Sequence, residues 1–389
     1  PFGNKPADLE QAYIADWLVR NKGLMGLDEA KNVSDEFLSG HKQLVSRIKR
    51  DSRIAMAMLD GSSDDEYVFL RGNHRTRGDS VPRRFLEALG GLDQPAPEVG
   101  SGRLELARQI IDPKRNPFVS RVLVNRLWHH LFGRGIVPST DDFGVLGQRP
   151  THPELLDHLA GRFVANNWSV KETIKQIIMS RTYRMSSEAK GPGEAKDPAN
   201  DLWHRANLRR LQAESIRDAL LFVSGRLDPK MFGNSVPTYL TAFMEGRGRP
   251  GKGPLDGNGR RSIYLSVRRN FLSPFMLAFD TPSPFNAVGR RTNSNVPSQG
   301  LILMNDPFVI GQAALWGKKL LKQFTHSEQR IQSLYESAFS RPPSEFEMEV
   351  SHAFVLEQAK LHGVAKDHEL PWKDLAHAII NTKEFIFLN

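Results

Sequence analysis

Residues 116–133 read NPFVSRVLVNRLWHHLFG, and this segment predicts the helix around which we expect the domain to be built. Asn116 is a favourable N-cap, Pro117 suits the first helical turn, and Gly133 suits the position after the last turn. Between these ends an apolar side chain recurs at every fourth position, which predicts a helix over 117–132 with one buried face. A second face is polar and consists of Arg121, Asn125 and His129, with Arg126 and His130 alongside.

Similar signals predict helices over most of the chain and strands over little of it. The pattern Ser/Thr-x-x-Glu, whose side chains satisfy the free amides of a first turn, predicts helix starts at Thr151, Ser169 and Ser344. Apolar periodicity predicts further helices over 1–50, 208–224, 299–324, 327–339, 344–362 and 372–381. Two short runs rich in β-branched and aromatic residues predict strands at 67–70 and 263–267. The predicted fold is therefore mainly α, a multi-helix domain with a few short strands around an arginine-rich irregular segment.

Clusters of glycine, proline and polar residues suggest how the chain is divided. We predict an N-terminal helical region, the tail of a preceding domain plus a linker, over 1–100, and a helical subdomain over 101–187. A linker follows over 188–200. The remaining parts are an arginine-rich helix-plus-strand segment over 201–310 and a set of C-terminal helices over 311–389.

The composition excludes several kinds of protein. The 389 residues include no cysteine, so this segment has no disulfide, thiolate metal site, iron–sulfur cluster or covalent haem attachment. No apolar run approaches the ~18 residues of a membrane-spanning helix, so no membrane span is predicted. No metal site is predicted either, because the adjacent His129 and His130 point in different directions on a helix.

Positive charge is concentrated in one quarter of the chain. The net charge is +9, and residues 201–300 hold 13 arginines and two lysines against seven acidic residues. Arginines that face inward must find carboxylates, carbonyl oxygens or a bound anion, and nearby carboxylates are few. The shortage favours an anionic ligand or partner, although acids from elsewhere in the fold could supply the same charge. The basic excess alone discriminates poorly, and no nucleic-acid-binding module is present, so nucleic acid is an unlikely partner.

Many segments together resemble one family. They include GRLELA at 102–107, NPFVSRVLVNRLW at 116–128, FGRG at 132–135, HPELLD at 152–157, SRTYR at 180–184, LQAESIRDAL at 211–220, RRT at 290–292, VPSQ at 296–299 and NDPFV at 305–309. Over about residues 67–389 the chain looks like the C-terminal domain of unknown function of planctomycete cytochrome-c-type multidomain proteins. The resemblance implies an exported protein, at the periplasm or cell surface, with a haem module and a further conserved domain N-terminal to this segment. It implies no haem or other cofactor in this segment and no known catalytic residues.

Three functions remain open at this stage. The first is binding of an anionic partner, a sulfated or carboxylated polysaccharide if the protein is exported, for which the candidate residues are Arg126, His130, Arg217, Arg261, Tyr264, Arg269 and Arg291. The second is an enzyme, a glycan-acting hydrolase or an oxidoreductase that partners the haem module, with Asp142, His152, Glu214 and Asp218 as candidate acids and bases. The third is a purely structural domain in which every arginine has an internal partner. The other expected partners are the N-terminal domains of the same precursor.

Overall fold

A computed structural model describes residues 27–47, 57–61, 64–91 and 100–388 of the chain. The protein is about 51 % helical, and the part described contains fourteen α-helices and two small antiparallel sheets of two strands each. The predicted mainly α fold is confirmed. Residue contacts divide the chain into two units, Pro1–Ser120 and Arg121–Asn389. The finer boundaries proposed from the sequence stay predictions.

The first unit contains two helices and a hairpin. Helix α1 (Leu27–Arg47) confirms part of the helix predicted over 1–50, and the rest of that prediction lies outside the described residues. Strand β1 (Glu66–Phe69) pairs antiparallel with β2 (Arg77–Val81) and confirms the strand predicted to begin at residue 67. Helix α2 (Arg103–Ile111) follows, and α3 (Phe118–Phe132) begins at the end of this unit.

The second unit consists of helices joined by irregular segments. Its helices are α4 (Pro153–Ala165), α5 (Val170–Ile178), α6 (Pro192–Lys196), α7 (Ala213–Ser224), α8 (Pro274–Ala278), α9 (Pro297–Asn305), α10 (Pro307–Gln323), α11 (Ser327–Phe339), α12 (Glu345–His362), α13 (Glu369–Ile380) and α14 (Lys383–Ile386). Strand β3 (Arg209–Arg210) pairs antiparallel with β4 (Phe387–Leu388), so the segment before α7 is tied to the end of the described chain. Among the described residues, no helix combines the length and the apolar character needed to cross a membrane.

The predicted helix starts agree with the structure to different degrees. At Ser344 the capping box is complete, because the hydroxyl accepts from the Glu347 amide and the Glu347 carboxylate accepts from the Ser344 amide. Ser169 caps α5 by accepting from the amide of Glu172. The box predicted at Thr151 is wrong, since the Thr151 hydroxyl donates to the carbonyl of Ile136 and α4 starts with Pro153 instead.

Three predicted element boundaries need correction. The segment predicted as a strand over 263–267 forms a 3₁₀ turn at Ser262–Tyr264 and a single bridge between Val236 and Leu265, so it has no neighbouring strand to pair with. The helix predicted over 299–324 is two helices, because Pro307 has no amide proton to continue the ladder and Asp306 caps the second helix. The helix predicted from residue 208 starts at residue 213, after β3.

Two hydrophobic cores lie within the second unit. The larger core is built by helices α7 to α14 around Trp316 and Trp372, both of which are completely buried. The smaller core joins α3, α4 and α5 and includes Trp128, Phe163 and Trp203. Burial of aromatic and aliphatic side chains is the main favourable term in both. The polar groups at the end of α3 and the start of α7 lie where elements of the two cores meet.

Candidate functional site

A buried amide shapes the chain immediately after α3. Asn125 is completely buried, its Oδ1 accepts from the Val137 amide at 2.8 Å, and its Nδ2 donates to the Val137 carbonyl at 2.9 Å. Both polar atoms of Val137 are thereby satisfied inside the protein. The paired bonds hold Val137, which follows α3, against Asn125 inside that helix.

Residues 289–291 reach the same place from a distant part of the sequence. The Thr140 hydroxyl donates to the Gly289 carbonyl at 3.1 Å, and Arg290 Nη1 donates to the Pro138 carbonyl at 3.2 Å. Any Cβ at Gly289 would overlap the side chain of Asp141, so the close approach requires glycine. These contacts place the two arginines of the 289–291 segment beside the C-terminal end of α3.

Arg291 forms a two-point ion pair with Glu214 in the first turn of α7. The distances are 2.6 Å from Arg291 Nη1 to Glu214 Oε2 and 3.0 Å from Nη2 to Oε1. Burial alone would raise the pKa of Glu214, but the hydrogen bonds and charge of Arg291 outweigh it, and the pKa lies below its ordinary value. Glu214 is therefore ionised at neutral pH and occupied by a partner.

His129 and His130, at the end of α3, are surrounded by guanidinium groups. Burial is the main cause that lowers the pKa of His129, followed by the charges of His130, Arg290 and Arg209. Burial also lowers the pKa of His130, with further contributions from Arg291 and Arg126. Both imidazoles are consequently neutral at pH 7.

We call this set of residues the basic cluster; its members are Arg126, His129, His130, Arg209, Arg290 and Arg291. Arg209 is anchored there by a 2.8 Å hydrogen bond from Nη1 to the His130 carbonyl, one of the last carbonyls of α3, where positive charge is favoured. The four guanidinium groups of the cluster outnumber the carboxylates beside them, which are Glu214, paired with Arg291, and Asp141 next to Gly289. Arg126 is exposed, and its guanidinium group has no hydrogen bond or ion pair with any residue that the structure describes. Such a surface suits an oxyanion, because guanidinium donors match carboxylate and sulfate oxygens.

Three of the seven predicted ligand residues, Arg126, His130 and Arg291, are brought together in the basic cluster. Sequence reasoning did not select the other three members, His129, Arg209 and Arg290. The sequence did carry signals for them, since His129 lies on the polar face of the helix predicted over 117–132, and Arg209 and Arg290 each stand next to another arginine. Both arginines at 290–291 reach the cluster, where Arg290 acts on His129 and Arg291 on His130.

Arg217 is engaged inside the protein. Its Nη1 donates to the Arg260 carbonyl at 3.0 Å and to the Ser262 hydroxyl at 3.1 Å, and its Nη2 donates to the Asp256 carbonyl at 2.7 Å. The guanidinium also lies over the ring of Phe308 at 5.5 Å. Arg217 therefore fixes the 256–262 loop against α7.

The other predicted ligand residues lie in the surrounding irregular segment. Arg261 is half exposed and lies 3.9 Å from Asp218. The Tyr264 ring packs under Arg260 at 4.1 Å, and the Tyr264 hydroxyl accepts from the Phe232 amide at 2.8 Å. The exposed Arg269 lies over the Phe285 ring at 5.7 Å. No contact joins these residues to the basic cluster in the described part of the chain.

The four candidate acids and bases have separate partners. Asp142 accepts from the Gly144 amide at 2.8 Å, and His152 Nδ1 lies 3.0 Å from the Thr151 hydroxyl. Glu214 binds Arg291. Asp218 accepts from both the amide and the hydroxyl of Ser262 at 2.7 Å. Within the ranges described, no hydrogen bond or ion pair joins the side chains of any two of the four.

The described part of the chain also has a groove away from the basic cluster, and it can be searched for a metal site. A shallow groove of about 490 Å³ lies at the start of α12, and its lining includes Glu328, Glu345, Glu349 and His352. It contains none of the candidate ligand or catalytic residues selected from the sequence. Among the described residues, no group of three or more histidine or acidic side chains is placed to hold a metal ion.

Comparison with known proteins gives a family. The family described as PSD1, protein of unknown function (DUF1553), matches residues 102–355. This range is well over half of the chain, and the chain belongs to that family. All six members of the basic cluster lie within the matched range. No curated protein and no solved structure shows significant similarity to the chain.

Proposed function

We propose that the Arg121–Asn389 unit binds an anionic ligand through the basic cluster. The observation that carries this proposal is the charge balance at the end of α3, where four guanidinium groups surround two neutral imidazoles and one paired carboxylate. Arg126 supplies a free donor at the surface. Excess positive charge at a partly desolvated surface attracts an anion more strongly than the same charge spread in water.

The ligand class we propose is a sulfated or carboxylated polysaccharide. Guanidinium groups bind both oxyanions through paired N–H donors, and a polymer would present several of them to neighbouring arginines. The resemblance to planctomycete cytochrome-c-type proteins supports an exported protein that meets such polymers outside the cell. On the same resemblance we propose that the N-terminal domains of a common precursor, one of them carrying haem, are partners of this unit.

Several of the arginines in residues 201–300 have their charge balanced inside the protein. Four arginines outside the basic cluster each form an ion pair with an aspartate of the same chain, so their charge does not require an external anion: Arg210, Arg217, Arg226 and Arg260. In the basic cluster, by contrast, the partners of Arg209 and Arg290 among the described residues are carbonyl oxygens, which leave their charge unbalanced. The proposal therefore rests on the basic cluster alone. The glycan-acting enzyme and the purely structural domain stay predictions.

Calorimetric titration with dextran sulfate and with polygalacturonate, each at low salt, tests the proposal. We expect Arg126→Gln to weaken binding about tenfold, the effect of losing one charge-assisted contact. Glu214→Gln should act in the opposite direction and tighten binding, because it frees Arg291 for the ligand. The matched control is Arg162→Gln, which removes the same charge from an exposed position of α4 that has no ion pair among the described residues.

The matched control makes the experiment discriminating, because net charge alone would also weaken binding in Arg126→Gln and tighten it in Glu214→Gln. A nonspecific response to net charge would give Arg162→Gln the same effect as Arg126→Gln, and the proposal would then fail. Absence of binding by the wild-type protein to both polymers would also contradict it. Neutral dextran should not bind. Binding to duplex DNA in preference to both polymers would redirect the proposal to nucleic acid.

A further inference from the structure

We propose that the His129–His130 pair takes up a proton when an anion binds to the basic cluster, so that the site binds its ligand more tightly in mildly acidic surroundings. This inference rests on the proposed function and adds the regulation of the same site. It concerns the two side chains of the cluster that can change charge near neutral pH.

The geometry leaves both imidazoles available. Their ring centroids lie 5.5 Å apart with the ring planes inclined at 66°, and each ring is partly accessible to solvent. In the part of the chain that the structure describes, no ring nitrogen of His129 or His130 has a hydrogen-bond partner. An incoming sulfate or carboxylate oxygen would thus meet ring nitrogens that can donate once protonated.

Four other histidines of the second unit differ in this respect. His152 lies 3.0 Å from the Thr151 hydroxyl, and His204 Nε2 lies 2.9 Å from the Asp197 carbonyl. His377 Nε2 is similarly placed 2.9 Å from the Leu303 carbonyl, and His362 binds Asp374 at 2.6 Å. These rings already have local partners, whereas the pair in the basic cluster faces cations instead.

The charges around the pair come from every element packed against it. They are Arg126 on α3, Arg209 on β3 with Tyr183 beside it, Arg290 and Arg291 on the 289–291 segment, Glu214 on α7, and Asp141 on the adjoining loop. The guanidinium groups outnumber the carboxylates, so the empty site disfavours a further positive charge. Burial acts in the same direction and keeps the pKa of both histidines below the ordinary value.

A bound anion reverses this balance. Its negative charge offsets the arginines, and each oxygen can accept a hydrogen bond from a protonated ring, so the pKa of the pair rises on binding. By linkage, a site whose bound form holds more protons binds more tightly as the pH falls toward the pKa of the free site. The coupling is reciprocal, since lower pH then also favours the liganded form.

Titration with dextran sulfate provides the test, because its sulfate esters stay ionised across the range used. We expect the affinity of the wild-type protein to rise about tenfold between pH 7.5 and pH 5.5, the size of effect that one coupled proton gives. Measurements in two buffers of different ionisation enthalpy should show net proton uptake. The His129→Gln/His130→Gln double variant should bind with little pH dependence and without proton uptake.

Controls separate this inference from the proposed function. His158→Gln removes an exposed histidine of α4 and should leave both the pH dependence and the proton uptake unchanged. Arg126→Gln should weaken binding at every pH while keeping the slope. An NMR titration of the histidine ring protons of the wild-type protein, with and without dextran sulfate, should show two resonances titrating at higher pH when the ligand is present; this measurement needs no variant to fold.

Three results would overturn the inference alone. The first is tight binding that is equal at pH 7.5 and pH 5.5 with no proton uptake. The second is full proton uptake by the double variant, and the third is loss of proton uptake in His158→Gln. Failure to bind dextran sulfate even at pH 5.5 would instead remove the proposed function and this inference together.

Discussion

Gly133 ends α3 and also makes room for a member of the basic cluster. Its φ of 84° lies in the left-handed region, and its amide donates to the His129 carbonyl at 2.7 Å. A Cβ at this position would overlap the Arg209 side chain. One glycine therefore closes the helix and lets Arg209 lie against its C-terminal carbonyls.

We expect Gly133→Ala to destabilise the protein by about 1–2 kcal/mol, because alanine is strained at positive φ and Arg209 must move. Anion binding should weaken as well. Gly161→Ala is the matched control, since Gly161 lies inside α4 with open space around the added methyl, and alanine there should stabilise by about 0.5–1 kcal/mol. Thermal unfolding followed by calorimetry measures both changes, and equal effects of the two substitutions would refute the argument.

At the scale of elements, Arg341 joins three helices through one guanidinium group. It follows α11 and binds Glu347 of α12 at 2.7 and 2.8 Å and Glu384 of α14 at 2.8 Å through two donors. The hydrogen bonds from Arg341 are the main cause that lowers the pKa of Glu347 from 4.5 to about 2. The same pair of carboxylates raises the pKa of Arg341 further above its already high value.

This network predicts a specific acid sensitivity. A carboxyl group whose pKa is lowered by folding stabilises the protein at pH values above its unfolded pKa, and that contribution is lost as the pH falls toward about 2. We expect Arg341→Gln to lower the free energy of unfolding by about 1–3 kcal/mol at pH 7 and by much less near pH 2. Urea unfolding measured from pH 7 to pH 2 would show the two curves converging.

Lys318→Gln is the control for that prediction. Lys318 pairs with Glu369 at 3.0 Å, but both side chains are about half exposed, so its loss should change stability little at any pH. A constant difference between wild type and Arg341→Gln at all pH values would contradict the role given to Glu347.

Elements with local sequence signals were predicted more accurately than elements that depend on distant contacts. The helix over 327–339 and those starting near residues 118, 170 and 345 were predicted closely, because caps and apolar periodicity act within a few residues. The strand predicted over 263–267 failed because pairing depends on a partner strand elsewhere in the chain.

The candidate site was likewise predicted only where its members are close in sequence. Arg126 and His130 share one predicted helix, but their approach to Arg291 depends on contacts made across more than 140 residues of sequence.

At the scale of the whole second unit, the basic cluster connects elements of the two hydrophobic cores. His129 and His130 extend from α3, which packs in the smaller core, while Glu214 belongs to α7 in the larger core. Arg291 forms an ion pair with Glu214, and its charge contributes to the lowered pKa of His130. A ligand that bridges Arg126 and Arg290 would therefore stabilise α3 and α7 together.

Hydrogen exchange measured by mass spectrometry can test this arrangement. Dextran sulfate at about 100-fold its Kd should raise the free energy of unfolding by about 2.7 kcal/mol. It should also slow hydrogen exchange in both α3 and α7. Helices α12 and α13 contribute no residue to the basic cluster and should change little. Protection confined to α3, with α7 unaffected, would show that the ligand does not join the cores.

The aromatic packing beside the cluster has a practical consequence. Trp128 directly precedes His129, its ring stacks on Phe132 at 4.2 Å, and it meets Trp203 edge-on at 5.7 Å. Indole emission is sensitive to nearby charge, and a protonated imidazole is an efficient quencher. The smaller core thus carries an intrinsic fluorophore one residue before His129, and we expect occupancy of the cluster to be readable as a change in brightness without any added dye.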